Sequence, residues 1–258
     1  MNNLFAVLLS FALLLSAAHA SDLEKEKRWA DQIVDALIDG EAEWLQAKDT
    51  EFLAIYTEAD ELHSRAALVL HGIGVHPDWP QVVYPLRTGL PAQGWSTLSL
   101  QMPVLANNVP YKDYAPLFEE VAPRIEAGVA FLKERGARRI VIVAHSLGTA
   151  MATYYLSGGD QDIAAFVGVG MSGGTEDPRM DNLVSLTKVR VPLLDLYGQH
   201  DSDGVLRTSA ERAKAATGNP AYSQVQVPGA NHFFDGQEQA LTEIVVDWLN
   251  ETVPTSRE

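Results

Sequence analysis

Residues 141–152 read VIVAHSLGTAMA, and the fold turns on how they are read. A β-branched run, Val141 to Val143, stops at Ala144, and a helix-forming tail rich in alanine and methionine begins after Ser146. The sequence therefore predicts a strand, a sharp turn and a helix, with a serine at the turn. The stretch is one methyl group away from G-x-S-x-G, because Ala144 stands where the first glycine would be. Such a turn holds its serine in strained backbone, so its neighbours must be small. Gly148 and Ala150 meet that demand, and Ala144 departs from it mildly. Ser146 is thus a candidate nucleophile, and the N–H of Leu147, opening the helix, is a candidate oxyanion donor. The competing reading makes Ser146 an ordinary helix cap, a position serine favours.

A serine hydroxyl is a weak nucleophile without a base, and a base needs orienting. Downstream, LLDLYGQHDSDG (193–204) is a strand followed by a short acidic loop. Asp201 lies just past the strand and is the preferred acid; Asp203 is the rival, and Asp195 lies inside the strand. VPGANHFFDG (227–236) supplies His232, the only one of seven histidines on the C-terminal side of Asp201. The order Ser146, Asp201, His232 is nucleophile, acid, base. Upstream, LHGIGVHPDW (70–79) ends an early strand in glycines that let a backbone N–H approach a substrate. Ile73 is the candidate second oxyanion donor there. His76, Asp78 and Trp79 either border the pocket or pack the loop, and His71, His145 and His200 are read as turn or core residues.

The rest of the chain alternates apolar strand-like runs with helical ones. Residues 21–40 read as an amphipathic helix, with Trp29, Ile33, Val34 and Leu37 on one face. EAEWLQA and EFLAIYTEA flank KDT as a hairpin. Strands follow at 66–72, 96–103, 138–144, 163–170, 191–198 and 222–229; helices are expected over about 117–135, 147–159, 205–217 and 236–250. This pattern predicts an α/β fold: a mainly parallel twisted sheet opened by an antiparallel hairpin, with helices on both faces. In such sheets ligands bind beyond the carboxyl ends of the strands, where Ile73, Ser146, Asp201 and His232 all fall.

Residues 1–20, MNNLFAVLLSFALLLSAAHA, carry no charged side chain, and their apolar stretch is too short for a membrane span. Ala18-His19-Ala20 is a small-x-small cleavage signal, and the composition changes abruptly at SDLEKEKR. The expectation is a signal peptide cleaved after Ala20, leaving residues 21–258 as one domain exported to a bacterial periplasm. The sequence contains no cysteine, which excludes disulfides, a thiol nucleophile and thiolate metal sites. Nineteen Lys+Arg against 34 Asp+Glu give a formal charge of −15, and no basic cluster interrupts the balance, so nucleic acid and anionic membranes are not expected partners.

The motifs HGIG, AHSLG, GQHD and GANHFF, in that order, resemble the α/β-hydrolase superfamily over nearly the whole of 21–258. More narrowly, LHGIGVHPDWPQVVYPLRTGLPAQGWSTLSLQMP (70–103) resembles a domain-of-unknown-function family of exported bacterial proteins. The resemblance implies the α/β-hydrolase fold and a triad at Ser146, Asp201 and His232. Acyl transfer by that triad needs no metal or organic cofactor. Only 171–190 separates the strands at 163–170 and 191–198, so little or no cap is expected, although Tyr111 and Tyr114 in 103–116 are placed to shield the site. An open site fits a small ester or an exposed acyl group. The alternatives are an amidase or peptidase using the same triad, and a non-catalytic periplasmic binding or assembly protein.

Overall fold

The computed structural model describes residues 21–59, 64–159 and 161–254; the expected signal peptide, 1–20, lies outside them. The chain order is α1 (Leu23–Ala36), β1 (Glu41–Ala47), β2 (Thr50–Thr57), β3 (Arg65–Leu70), α2 (Val83–Gly89), β4 (Ser96–Leu100), α3 (Phe118–Glu134), β5 (Arg139–His145), α4 (Leu147–Leu156), β6 (Ala165–Val169), α5 (Asn182–Leu186), β7 (Leu193–His200), α6 (Asp203–Ala215), β8 (Tyr222–Asn231) and α7 (Glu238–Thr252). One eight-stranded sheet runs β1-β2-β4-β3-β5-β6-β7-β8. β1, β2 and β4 are antiparallel neighbours, and every pairing from β4–β3 to β7–β8 is parallel.

The alternation of side chains along β5 shows why the sheet is covered on both faces. Ile140, Ile142 and Ala144 enter one core with Phe118, Val121 and Ile125 of α3 and Met151 of α4. Val141 and Val143 point the other way, into a core with Leu86 of α2, Trp95, and Leu241, Val245 and Leu249 of α7. A strand buried on both faces loses the polar–apolar alternation of a half-exposed one. β2 obeys the same rule: Phe52, Ala54 and Tyr56 join the first core, while Leu53 and Ile55 pack under Ala30 and Ile33 of α1.

The expected strands and the four long inner and C-terminal helices are present within a few residues of the expected bounds. Two short helices, α2 and α5, were not expected, because seven and five residues are too few to display a helical period. The segment 103–116 is partly ordered as a 3₁₀ helix over Tyr111–Leu117, which runs straight into α3. Between β6 and β7 there is only α5 and its connections, so no large cap covers the sheet edge. Among the described residues no helix is long and apolar enough to cross a membrane.

Candidate active site

Ser146 joins β5 to α4 with φ 53° and ψ −121°, a left-handed-side conformation that a non-glycine residue adopts only when its surroundings impose it. The Ser146 N–H donates to Val169 O (2.9 Å), tying the turn to the end of β6. Its carbonyl accepts from Thr149 N–H (2.9 Å) and Thr149 Oγ1 (2.6 Å). Ser146 occupies the cap position of α4, but its side chain makes no cap hydrogen bond. The hydroxyl is therefore not consumed by the role that the competing reading assigned to it. Gly148 is needed for close approach: a methyl group there would lie 2.6 Å from His71 O and 2.8 Å from Leu70 O, both backbone atoms of the β3 edge. Ala144 is accommodated in the core at 1% exposure, so the first position of the turn tolerates its methyl group.

Asp201 and His232 meet. Imidazole Nδ1 lies 2.6 Å from Asp201 Oδ1, and because a carboxylate only accepts, Nδ1 carries the proton. That leaves Nε2 as the basic nitrogen. Asp201 is fixed further by Gly198 N–H to Oδ2 (3.1 Å) and Ser202 N–H to Oδ1 (2.7 Å). Burial alone would raise its carboxyl pKa; the bonds from His232, Gly198 and Ser202 outweigh that and hold it below the usual carboxylate value. The rival, Asp203, is the first residue of α6. Asp195 is fully buried in a different role: its carboxylate takes Arg212 Nε (2.8 Å), Tyr222 OH (2.7 Å) and Gln224 Nε2 (2.8 Å).

The turn bearing His232 is built by Asn231, whose Oδ1 accepts from Phe233 N–H (3.0 Å) and Asp235 N–H (3.2 Å). Gly170, just past β6, backs the imidazole so closely that a methyl group on it would lie 2.9 Å from Nδ1. His145, the residue before Ser146, supports the same turn. Its Nε2–H donates to His232 O (3.0 Å), and the two rings lie 4.8 Å apart. Burial lowers the His145 pKa to about 4, so the ring is neutral at physiological pH.

The turn after β3 presses on the serine from the other side. A methyl group at Gly72 would lie 3.1 Å from Ser146 Cβ, which puts Ile73, the next residue, beside the elbow. His71 pins this turn: Nδ1–H donates to Gly72 O (2.8 Å), and Nε2 accepts from Met102 N–H (2.9 Å) at the end of β4. Burial drives its pKa down to about 3. Both buried histidines thus hold turns in place; the sequence offers them only as turn or core residues, because Met102, from which His71 accepts, and His232, to which His145 donates, are distant in the chain. Asp78 receives Arg87 Nε (2.8 Å), and His76 lies between Trp29 and Trp79 at 5.4 Å from each ring, so all three candidates in this loop pack it.

Tyr114 is buried in the core, and its hydroxyl is 4.0 Å from where a methyl on Gly74 would sit. Tyr111 instead lines an open cleft of about 650 Å³ with Lys112, Gly174, Glu176, Pro178 and Met180. One wall of this cleft is the segment that follows Gly170 and Ser172; Ser172 O accepts from the buried Asn182 Nδ2 (2.7 Å), which also reaches Thr149 Oγ1 (3.3 Å).

A parallel sheet with an antiparallel lead-in, a strained serine after its central strand and an Asp–His pair beyond its last strands define the α/β-hydrolase fold, and known structures share it. Est1E from Butyrivibrio proteoclasticus superposes with a TM-score of 0.64 at 16% identity, over 82% of this chain and 98% of that one. A dienelactone hydrolase from Anabaena variabilis gives 0.67 at 17% identity, over 82% and 97%. A serine hydrolase without a lid, from Xanthomonas campestris, gives 0.68 at 13% identity, over 85% and 97%. No curated protein matches the sequence. Residues 3–122 and 113–251 match the family described as protein of unknown function (DUF3530), and the chain belongs to that family.

Proposed function

We propose that this protein is an exported serine hydrolase that cleaves carboxylic esters through an acyl-enzyme, with Ser146, His232 and Asp201 as its triad. The observation that carries the reading is the 2.6 Å bond from His232 Nδ1 to Asp201 Oδ1, because it commits Nε2 to act as the base. Ser146 Oγ attacks the ester carbonyl carbon while Nε2 takes the hydroxyl proton. Asp201 stabilises the imidazolium that forms. The N–H groups of Ile73 and Leu147 receive the negative oxygen, each removing about 3 kcal/mol of barrier. Collapse breaks the ester bond, and the leaving alcohol takes the proton from Nε2. Water then repeats the sequence on the acyl-enzyme, releasing the acid and free Ser146.

Only α5 and its connections lie between β6 and β7, with no large cap over the sheet edge, which fits a small ester or an acyl group exposed on something larger. The similar solved structures include the dienelactone hydrolase and a cold-adapted esterase from an Arctic intertidal metagenomic library, whose names agree in kind with an ester carbonyl as substrate. Export, with cleavage after Ala20 and a periplasmic destination, belongs to the same reading and rests on the composition of residues 1–20.

The test is labelling of the protein beginning at Ser21 with a fluorophosphonate, beside Ser146→Ala and His232→Ala. Labelling of the wild type alone is expected. A folded wild type that stays unlabelled overturns the reading. A matched ester and amide then separate esterase from amidase: turnover of the amide but not the ester would reassign the substrate.

A further inference from the structure

Ser21 would be the first residue left by cleavage after Ala20, and its surroundings suit an ammonium group. It is 9% exposed, although it precedes the first helix. Its backbone N lies 3.1 Å from Glu120 Oε1, and its Oγ donates to Glu120 Oε2 at 2.7 Å, so one residue engages both oxygens of one carboxylate. The next residue is held too: Asp22 N–H donates to Val104 O (2.8 Å), and Lys25 Nζ to Leu105 O (2.8 Å).

Glu120 belongs to a buried charged cluster. Arg124, at 1% side-chain exposure, pairs with Glu26 (2.8 Å) and Glu120 (3.3 Å), so two carboxylates share one guanidinium. Their repulsion is felt: burial, with Glu120 as a lesser cause, raises the Glu26 pKa despite Arg124. A cation at the Ser21 nitrogen would relieve that repulsion. The cluster is also connected to the site, since Arg124 Nη1 donates to Gln101 O (2.8 Å), one residue before the Met102 N–H that His71 accepts.

We propose that the N-terminus created by cleavage is recognised within the fold: the α-ammonium of Ser21 forms a partly buried ion pair with Glu120, completing a charged chain through Arg124 that ends at the turn bearing Ile73. The inference rests on the cleavage position proposed above and is independent of the triad. Hydrolysis of the Ala20–Ser21 peptide bond by an export protease, with water as co-reactant, leaves a carboxylate on Ala20 and an amine on Ser21. That amine takes up a proton at neutral pH. As a peptide nitrogen it donates one neutral hydrogen bond; as an ammonium it donates three charged ones.

Among the described residues, Glu120 of α3 bonds Ser21 directly and Arg124 pairs with Glu120, while Asp22 caps α1 and Lys25 and Glu26 lie in its first turn. The experiment compares the chain beginning at Ser21 with a free amine against the same chain Nα-acetylated, by calorimetry from pH 6 to 10. The free-amine chain is expected to melt about 3–6 °C higher at pH 7. An amine whose folded pKa is raised stabilises fully below its unfolded value of about 7.7, and the advantage is lost as pH rises through the folded value. The difference should therefore vanish toward pH 10. In Glu120→Gln the two chains should melt together at every pH. The N-terminal mass of the protein recovered from a secreting bacterium should correspond to Ser21. Equal melting of the wild-type pair, a difference that persists in Glu120→Gln, or a mature N-terminus other than Ser21 would each overturn the proposal, whatever the fluorophosphonate result.

Discussion

His145 and His232 lie side by side, yet their turns give the same side chain opposite chemistry. His145 closes β5, is 3% exposed, and gives its one proton to a backbone carbonyl. His232 follows β8, keeps 19% of its side chain accessible, and gives its Nδ1 proton to a carboxylate. A carbonyl partner fixes a ring but does little to offset a gained charge, and in a dry environment the ring stays neutral. A carboxylate partner offsets that charge and so permits the ring to take a second proton. One turn therefore holds a neutral ring, and the other pairs its ring with a carboxylate, as the proposed triad requires.

The largest way to break this comparison is to remove the carboxylate. Asp201→Asn should lower ester turnover by about 10³–10⁴-fold while leaving the fold intact, because the imidazole loses both its tautomer preference and its charge partner. Circular dichroism beside the rate separates the two effects. Asp203→Asn should change the rate by less than about 2-fold; the reverse ranking would make Asp203 the acid.

Acid stability tests the neutral side of the comparison. His71 and His145 have folded-state pKa values of about 3 and about 4 against about 6.5 in an unfolded chain. A base with a lowered folded pKa favours the fold fully above its unfolded value, and that stability is lost as pH falls, since the unfolded chain binds protons that the fold excludes. Two such groups give a slope of up to about 3 kcal/mol per pH unit between pH 6 and 4. Asp201 acts only lower, as pH drops below the ordinary carboxylate value toward its depressed one. Denaturant titrations from pH 7 to 4 should show the early loss, and His71→Gln should roughly halve its slope. A stability flat to pH 4.5 would mean that these rings are solvated.

A smaller effect tests the link between the two turns. His145→Phe keeps a ring but deletes the donor to His232 O, and should slow fluorophosphonate labelling about 10-fold. His145→Gln, whose amide nitrogen reaches about as far as Nε2, should recover most of the rate, whereas His145→Asn is too short to do so. Equal rates in all three would reduce His145 to filler.

Much of this was legible before folding, for reasons that particular residues show. Ser146 was visible because a strand and a helix abut it, and strain at a strand–helix turn demands the small residues at 144 and 148. Asp201 is preferred to Asp203 because it follows the strand and Gly198 by a short turn; the two lie only two residues apart, and the bond from His232 Nδ1 falls on Asp201. α2 and α5 were missed because they are too short to show a period. Asp78 and Asp195 read as acids with open roles until their guanidinium partners, nine and 17 residues further on, came into contact.

By itself, the sequence determined the strand–helix alternation, the parallel sheet with its antiparallel start, and the chain order of serine, acid and histidine, because local periodicity and turn chemistry are written in neighbouring residues. Only the tertiary structure decided which histidine faces a carboxylate and which a carbonyl, which aspartates are taken by buried arginines, and that Ser21 meets Glu120 across 99 residues. Those are long-range pairings, and their energies depend on burial and on distances of under 3.5 Å that no local pattern encodes.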